Sequence, residues 1–300
     1  MKSINYILAG ILLALILMAS CKKKTTEYQP LELSPVQYAN TGDVNIAYRT
    51  IGSGYPLLLT MGYSGTMDMW PLALLQSLAK TYQVIIYDNR GMGLSTIIND
   101  TTFTIKLFAR DASRLLQALK IQKAHAMGWS MGTYVTQEFA LDYPALVNKV
   151  VLFASDCGDT LAIPPLPWAD SILKKQDVSF KEYLTVLFPP EWLVRPDALK
   201  YFPTITEPQI ETSKQRQYTA MQLWFTQGGG TSGRLKSLGK RTLLLSGMED
   251  VLTPPPNGLI MAVLIPGASL VQIEGGGHGA IYQFPYDFSN YVLTFLTNQN

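Results

Sequence analysis

The chain has 300 residues, 47% of them hydrophobic and 15% charged, a composition typical of a globular protein with one large domain or two small ones. The formal net charge of +2 and the lack of a basic run beyond the N-terminus give no reason to expect a nucleic-acid partner. Because Cys21 and Cys157 are the only cysteines, at most one disulfide can form, which excludes a disulfide-stabilised secreted scaffold.

Residues 1–20 have the organisation of an export signal: Lys2, an apolar run at 7–18, and small residues directly before Cys21. The run is shorter than the roughly 18 apolar residues that span a bilayer, and an uncleaved membrane anchor is the alternative. The ending MAS-C resembles the lipobox of bacterial lipoprotein signals. The resemblance implies that Cys21 is lipidated, that residues 21–35 form a tether, and that the protein is exported and anchored to a membrane of the bacterial cell envelope, on its periplasmic or surface face.

Strand and helix signals alternate along the rest of the chain. An antiparallel hairpin is predicted at 36–51, where apolar and polar residues alternate around Thr41, Gly42 and Asp43. Strands are predicted at 56–62, 83–88, 123–129, 149–155, 241–247 and 269–275, of which those at 56–62, 83–88 and 241–247 are predicted to be buried. Helices are predicted at 68–80, 104–120, 130–143, 257–265 and 283–297. This alternation predicts an α/β fold with a mostly parallel central sheet and helices on both faces.

The segment 157–240 interrupts this alternation. It is rich in proline and large aromatic residues and has short helical patterns without a strand run. We therefore predict a core formed by residues 36–156 and 241–300, with 157–240 as a helical cap over the sheet. Its aromatic side chains predict a largely apolar pocket for a small-molecule substrate with an apolar portion.

The pentapeptide GWSMG at 128–132 matches the nucleophile elbow G-x-S-x-G, which places Ser130 on a sharp turn between a strand and a helix. A serine hydroxyl needs a base, and the chain has two histidines. His125 precedes Ser130 on the same predicted strand at a separation of about 16 Å, so we interpret it as structural. His278, in the glycine-rich loop EGGGHGAIYQFP, is the remaining candidate base.

A carboxylate should orient this histidine. Asp250, in LLLSGMEDVLTPP after a predicted strand, is favoured by its motif context. Glu249 is adjacent to it, and Asp156 lies at the end of the preceding strand, so both are alternatives.

Three blocks of the sequence, YDNRGMGLS (87–95), GWSMG, and GMEDVLTPP with GGGHG, resemble the α/β-hydrolase superfamily in its esterase and peroxidase-like branch. The resemblance covers about residues 36–298. It implies an oxyanion hole formed by the backbone N–H groups of Met131 and of Tyr63 in MGYSGT. Many relatives have His-Gly at the start of that loop, where this chain has Met-Gly. Asp88 and Arg90 are interpreted as residues that hold their own loop by an ion pair or hydrogen bonds.

The predicted function is a serine hydrolase for carboxylic esters that forms an acyl-enzyme with Ser130, His278 and Asp250. Serine at position 130 argues against dehalogenases and epoxide hydrolases of this fold, which use an aspartate nucleophile. The alternatives are a carbon–carbon-bond hydrolase or a perhydrolase with the same triad, or a non-catalytic, surface-anchored binding protein. No metal or cofactor is implied, because no His, Cys and Asp cluster has ligand spacing.

Overall fold

The computed structural model describes residues 31–175 and 177–298. These residues contain one mixed β-sheet of nine strands. Its strands are β1 (Gln37–Asn40), β2 (Val44–Ile51), β3 (Tyr55–Thr60), β4 (Tyr82–Tyr87), β5 (Thr96–Ile97), β6 (Ala124–Trp129), β7 (Val147–Phe153), β8 (Thr242–Gly247) and β9 (Ser269–Ile273). They are ordered β1-β2-β4-β3-β6-β7-β8-β9, with β5 beside β2. The strands from β4 to β9 along this order are parallel, whereas β1, β2 and β5 pair antiparallel. The predicted export signal and Cys21 lie outside the described residues.

The helices flank this sheet. They are α1 (Leu72–Ala79), α2 (Ile105–Ala118), α3 (Met131–Asp142), α4 (Pro167–Leu173), α5 (Phe180–Leu187), α6 (Pro190–Leu193), α7 (Glu211–Trp224), α8 (Pro256–Leu264), α9 (Ala280–Gln283) and α10 (Pro285–Thr297). Short 3₁₀ turns occur at Met67–Met69, Pro144–Leu146, Asp159–Leu161 and Leu235–Ser237. No helix in the described ranges has the length and apolar character needed to cross a membrane.

Side-chain alternation along the buried strands forms two apolar cores, one on each face of the sheet. In β3, Leu58 joins the core that contains Leu115 of α2 and Val135 of α3. Its neighbour Leu57 joins the opposite core, with Val292 of α10. Because parallel strands covered on both faces need apolar residues at every position, the continuous apolar runs in the sequence predicted them correctly.

The predicted hairpin, the six predicted strands and the α/β fold class are confirmed, but β9 is an edge strand in which only Ile273 is buried. Two predicted helices are interrupted by proline. The helix predicted at 68–80 begins only after Pro71, and the last helix is broken at Phe284, before Pro285. A residue that precedes proline is disfavoured in helical conformation, which accounts for the second break.

The segment between β7 and β8 contains α4 to α7 and no strand among its described residues, 157–175 and 177–240. Because β3, β6, β7 and β8 are parallel, their carboxyl ends lie at the same edge of the sheet. This edge positions the loops that carry the predicted site residues.

Candidate active site

Ser130 occupies a strained turn between β6 and α3. Its backbone dihedral angles, φ 55° and ψ −127°, lie in a region that non-glycine residues rarely adopt. A Cβ atom on Gly128 would lie 2.3 Å from the Gly132 carbonyl oxygen, and one on Gly132 would lie 2.1 Å from the Thr60 carbonyl oxygen. Both flanking glycines are therefore required by close backbone approach, and the turn presents the Ser130 side chain at the carboxyl edge of the sheet.

His278 lies in the loop after β9 and bonds to Asp250, which follows β8. Its Nδ1 is 2.9 Å from Asp250 Oδ2 and 3.1 Å from Oδ1, and both side chains are buried. The indole Nε1 of Trp129 donates to the His278 carbonyl oxygen at 3.0 Å. A Cβ atom on Gly277 would lie 2.4 Å from the Leu187 carbonyl oxygen, so the loop can pass beneath α5 only with glycine there.

The Asp250 carboxylate is held by its own loop. Oδ1 accepts from the backbone N–H groups of Leu252 and Thr253, at 2.8 and 2.9 Å, and Oδ2 accepts from the Thr253 hydroxyl at 2.7 Å. These hydrogen bonds fix the orientation of the carboxylate toward His278.

The two alternative acids do not contact His278. The Asp156 carboxylate bonds to other residues: it accepts from the Tyr134 hydroxyl, from Gly158 N–H at 2.8 Å and from Trp224 Nε1 at 3.2 Å. Burial raises the pKa of Asp156, although these donors oppose the shift. Glu249 is exposed, and no hydrogen bond joins its side chain to the histidine in the described chain. Asp250 is therefore the acid that meets His278.

His125 lies at the other end of β6, where its ring packs between Tyr55 and Tyr82 at centroid distances of 4.7 and 5.5 Å. Burial and the nearby Lys149 lower the pKa of His125 to about 4. This neutral, aromatic environment agrees with a structural role.

The loop after β3 lies directly against the elbow. A Cβ atom on Gly62 would be 3.0 Å from the Trp129 carbonyl oxygen and 3.1 Å from Ser130 Cβ. The N–H of Tyr63, the next residue, has no acceptor among the described residues. Met131 is the first residue of α3, so its N–H has no partner within the helix. Both predicted oxyanion donors thus lie in segments adjacent to Ser130.

Gln217 of α7, which the sequence did not predict as a site residue, contacts the loop after β3. Its side chain is fully buried, and Oε1 accepts from Ser64 N–H at 2.9 Å. Ser64 has a φ of 61°, so the bond stabilises a strained residue directly after Tyr63. From the side of the sheet, Asn89 donates to the Met61 carbonyl oxygen at 3.2 Å.

Asp88 and Arg90 both have structural roles, as predicted, but they do not bond to each other. Asp88 accepts from the N–H groups of Met67 and Leu94, at 2.7 and 2.8 Å. Arg90 forms a buried two-pronged ion pair with Asp111 of α2, at 2.6 and 2.7 Å.

Ser130, His278 and Tyr63 line one cavity of about 550 Å³. Many of its other lining residues come from the segment between β7 and β8, including Tyr183, Tyr218 and other apolar or aromatic side chains. No hydrogen bond joins the Ser130 hydroxyl to His278 in the described structure. Such contacts are often long in ligand-free enzymes and tighten when substrate binds.

Comparison with known proteins agrees with this arrangement. A family profile described as the α/β hydrolase fold matches residues 55–285. "Putative carbamate hydrolase RutD" of Pseudomonas syringae pv. syringae is 26% identical over 258 residues, which cover 81% of this chain and 94% of that protein. "Putative non-heme bromoperoxidase BpoC" of Mycobacterium tuberculosis is 26% identical over 268 residues, which cover 85% and 98%.

A solved structure, of a hydrolase from Pseudomonas aeruginosa, superposes with a TM-score of 0.74 at 26% identity and covers 88% of this chain and 99% of that chain. The family match spans well over half of the chain and includes the elbow and both loops that carry Asp250 and His278. The chain therefore belongs to the α/β hydrolase fold family and is a hydrolytic enzyme.

Proposed function

We propose that this protein is a serine-dependent hydrolase of carboxylic esters, with Ser130 as nucleophile, His278 as general base and Asp250 as the residue that orients the base. The observation that carries the proposal is the convergence of the strained Ser130 turn and the Asp250–His278 pair on one cavity. In this family fold, the order serine, acid, histidine along the chain accompanies that chemistry.

In the proposed reaction, the Ser130 oxygen attacks the ester carbonyl carbon while His278 accepts the hydroxyl proton. The tetrahedral intermediate collapses, the bond to the alcohol breaks, and His278 returns the proton to the departing alkoxide. Water then attacks the acyl-enzyme with His278 again as base, which releases the carboxylic acid and restores Ser130. Asp250 remains ionised throughout and stabilises the imidazolium.

The negative oxygen of each intermediate would be stabilised by the N–H groups of Tyr63 and Met131. An N–H at the start of α3 also benefits from the positive end of the helix dipole. Removing one such donor in other hydrolases costs about 10²- to 10³-fold in kcat, which is why the placement of the Tyr63 loop matters.

A panel of p-nitrophenyl esters of graded acyl length, tested with the wild-type protein and Ser130→Ala, examines this proposal. We expect hydrolysis by the wild type and a loss of at least about 10³-fold in Ser130→Ala. Full activity in the variant would eliminate Ser130 as nucleophile. The panel also includes a carbamate and an ester with added peroxide, because relatives carry the names carbamate hydrolase and bromoperoxidase. A vinylogous diketone tests carbon–carbon bond cleavage with the same triad.

We also propose that residues 157–240 form a cap over the active site. A separate proposal is that Cys21 carries a lipid that anchors the enzyme to a membrane. The support is the sequence pattern of residues 1–20 and the unpaired, buried state of Cys157, which leaves no disulfide partner for Cys21 within the described residues. Metabolic labelling with an alkyne fatty acid should label the wild type and not Cys21→Ser. Equal labelling of the two would overturn the anchor.

A further inference from the structure

Helix α7 contributes one face to the wall of the cavity that contains Ser130. Lys214, Tyr218 and Gln222, spaced four residues apart, all line this cavity. The Tyr218 ring lies 6.1 Å from the ring of Tyr63, the residue whose N–H is proposed to bind the oxyanion. Tyr218 therefore lies on the cavity wall beside the Tyr63 side chain.

The Tyr218 hydroxyl is buried and has no hydrogen-bond partner in the described part of the chain. A buried hydroxyl without a partner is costly, so native structures satisfy nearly all such groups. Two charged residues that line the same cavity are already paired, Lys214 with Glu211 at 3.1 Å and Asp170 with Lys174 at 2.5 Å. Tyr218 is thus a cavity-lining donor that the protein itself leaves unused.

The surroundings of Tyr218 select the kind of acceptor that it can take. Burial, and then the negative charge of Asp170, raise the pKa of the Tyr218 hydroxyl, whereas Lys174 opposes the shift. The phenol therefore stays protonated near neutral pH and can donate. At the Tyr218 hydroxyl the effect of Asp170 exceeds the opposing effect of its partner Lys174, so this place disfavours a substrate carboxylate relative to a neutral carbonyl or ether oxygen.

We propose that the Tyr218 hydroxyl is a specificity-determining donor, which binds a neutral carbonyl or ether oxygen on the part of the substrate remote from the ester bond. The inference rests on the proposed ester hydrolysis and narrows its substrate class: the preferred esters have an apolar chain that carries one uncharged oxygen acceptor. Purely hydrocarbon chains would leave the hydroxyl unpaired in the complex.

The test compares p-nitrophenyl hexanoate with its analogues in which an ether oxygen replaces one methylene at position 4 or 5 of the acyl chain. A second series places the ether oxygen in the alcohol part of a butyrate ester, and one further ester has an acyl chain that ends in a carboxylate. For each pair, kcat/KM is measured in the wild type and in Tyr218→Phe, which removes only the hydroxyl. Tyr201→Phe, a tyrosine of the same segment outside the cavity lining, is the matched control.

We expect the preference for an ether ester over its hydrocarbon counterpart to fall about fivefold in Tyr218→Phe for at least one oxygen position, with hydrolysis of the hydrocarbon ester retained. Tyr201→Phe should keep the wild-type preference. An unchanged preference in Tyr218→Phe at every position would overturn the subsite alone. A preference for the carboxylate-tailed ester that disappears in Tyr218→Phe would overturn the assignment of a neutral oxygen acceptor. Failure of the wild type to hydrolyse any ester in either series would overturn the proposed function together with the subsite.

Discussion

Substituting Asp250 with asparagine tests the proposed histidine orientation with almost no change in shape. The asparagine oxygen can replace Oδ1 and keep both backbone donors, Leu252 and Thr253 N–H, at 2.8 and 2.9 Å. This arrangement places the amide NH₂ where Oδ2 now lies, 2.9 Å from His278 Nδ1. NH₂ cannot accept a hydrogen bond, and the oxygen at the Oδ1 position, 3.1 Å from Nδ1, already accepts from two backbone N–H groups. We therefore expect Nδ1 to become the acceptor for the NH₂ group and the ring proton to move to Nε2.

A histidine protonated on Nε2 has no free lone pair at that nitrogen to take the Ser130 proton. The same change of tautomer in a serine protease lowers kcat by about 10⁴, so we expect a loss of about 10³- to 10⁴-fold here. This loss corresponds to about 4 to 5.5 kcal/mol of transition-state stabilisation. The fold should persist, because both backbone hydrogen bonds to the side chain of residue 250 remain.

The assay is the steady-state hydrolysis of a p-nitrophenyl ester, with thermal unfolding measured alongside. Glu249→Gln is the matched control, since it removes the adjacent, exposed carboxylate and should leave kcat near the wild-type value. A folded Asp250→Asn protein with more than a tenth of the wild-type kcat would refute the reasoning. A large loss in Glu249→Gln would instead assign the acid to the neighbouring position.

Substitutions at three further contacts, those of Gln217, His125 and Arg90, test other parts of the account. Gln217→Met removes the acceptor of Ser64 N–H and should lower both kcat and the free energy of unfolding, the latter by about 1–3 kcal/mol. Gln217→Glu keeps an acceptor, so its kcat and its free energy of unfolding should fall less. Equal losses in the two variants would contradict this role. The pKa of His125 is about 4 in the folded chain against 6.5 unfolded, so only the unfolded chain gains a proton in that window. Stability therefore falls as pH drops from 6.5 to 4, by at most about 3 kcal/mol from this group, and urea unfolding of His125→Phe should show a weaker pH dependence than the wild type. Arg90→Met leaves Asp111 as an unpaired buried charge and should cost about 3–5 kcal/mol in urea unfolding, of which the double substitution with Asp111→Leu should restore a large part; no recovery would argue against the ion pair as the cause.

The sequence predicted the sheet well because its signals are local. Buried parallel strands need continuous apolar runs, and those runs lie at β3, β4, β6, β7 and β8 as expected. The position of Ser130 was equally readable, since only glycines fit at 128 and 132 and the flanking strand and helix signals were strong.

The choice of acid and the partners of the oxyanion loop could not be read in the same way. Asp156 and Asp250 both follow buried strands, and only three-dimensional contacts separate them: His278 meets Asp250, whereas Tyr134 and Trp224 hydrogen-bond to Asp156. The contact between Ser64 and Gln217 joins residues 153 positions apart, so it depends on how α7 packs against the loop after β3. No local pattern in α7 distinguishes a glutamine that accepts from a backbone N–H from one that faces solvent.

The most direct test of the central claim is the site of covalent modification by a fluorophosphonate. The folded protein is treated with the probe, digested and mapped by mass spectrometry while loss of ester hydrolysis is followed in parallel. We predict one phosphonyl adduct, on the peptide that contains Ser130, with activity lost in proportion to labelling and no adduct in Ser130→Ala. Ester hydrolysis that persists after complete labelling of Ser130, or a folded wild type that remains unlabelled there, would contradict the account.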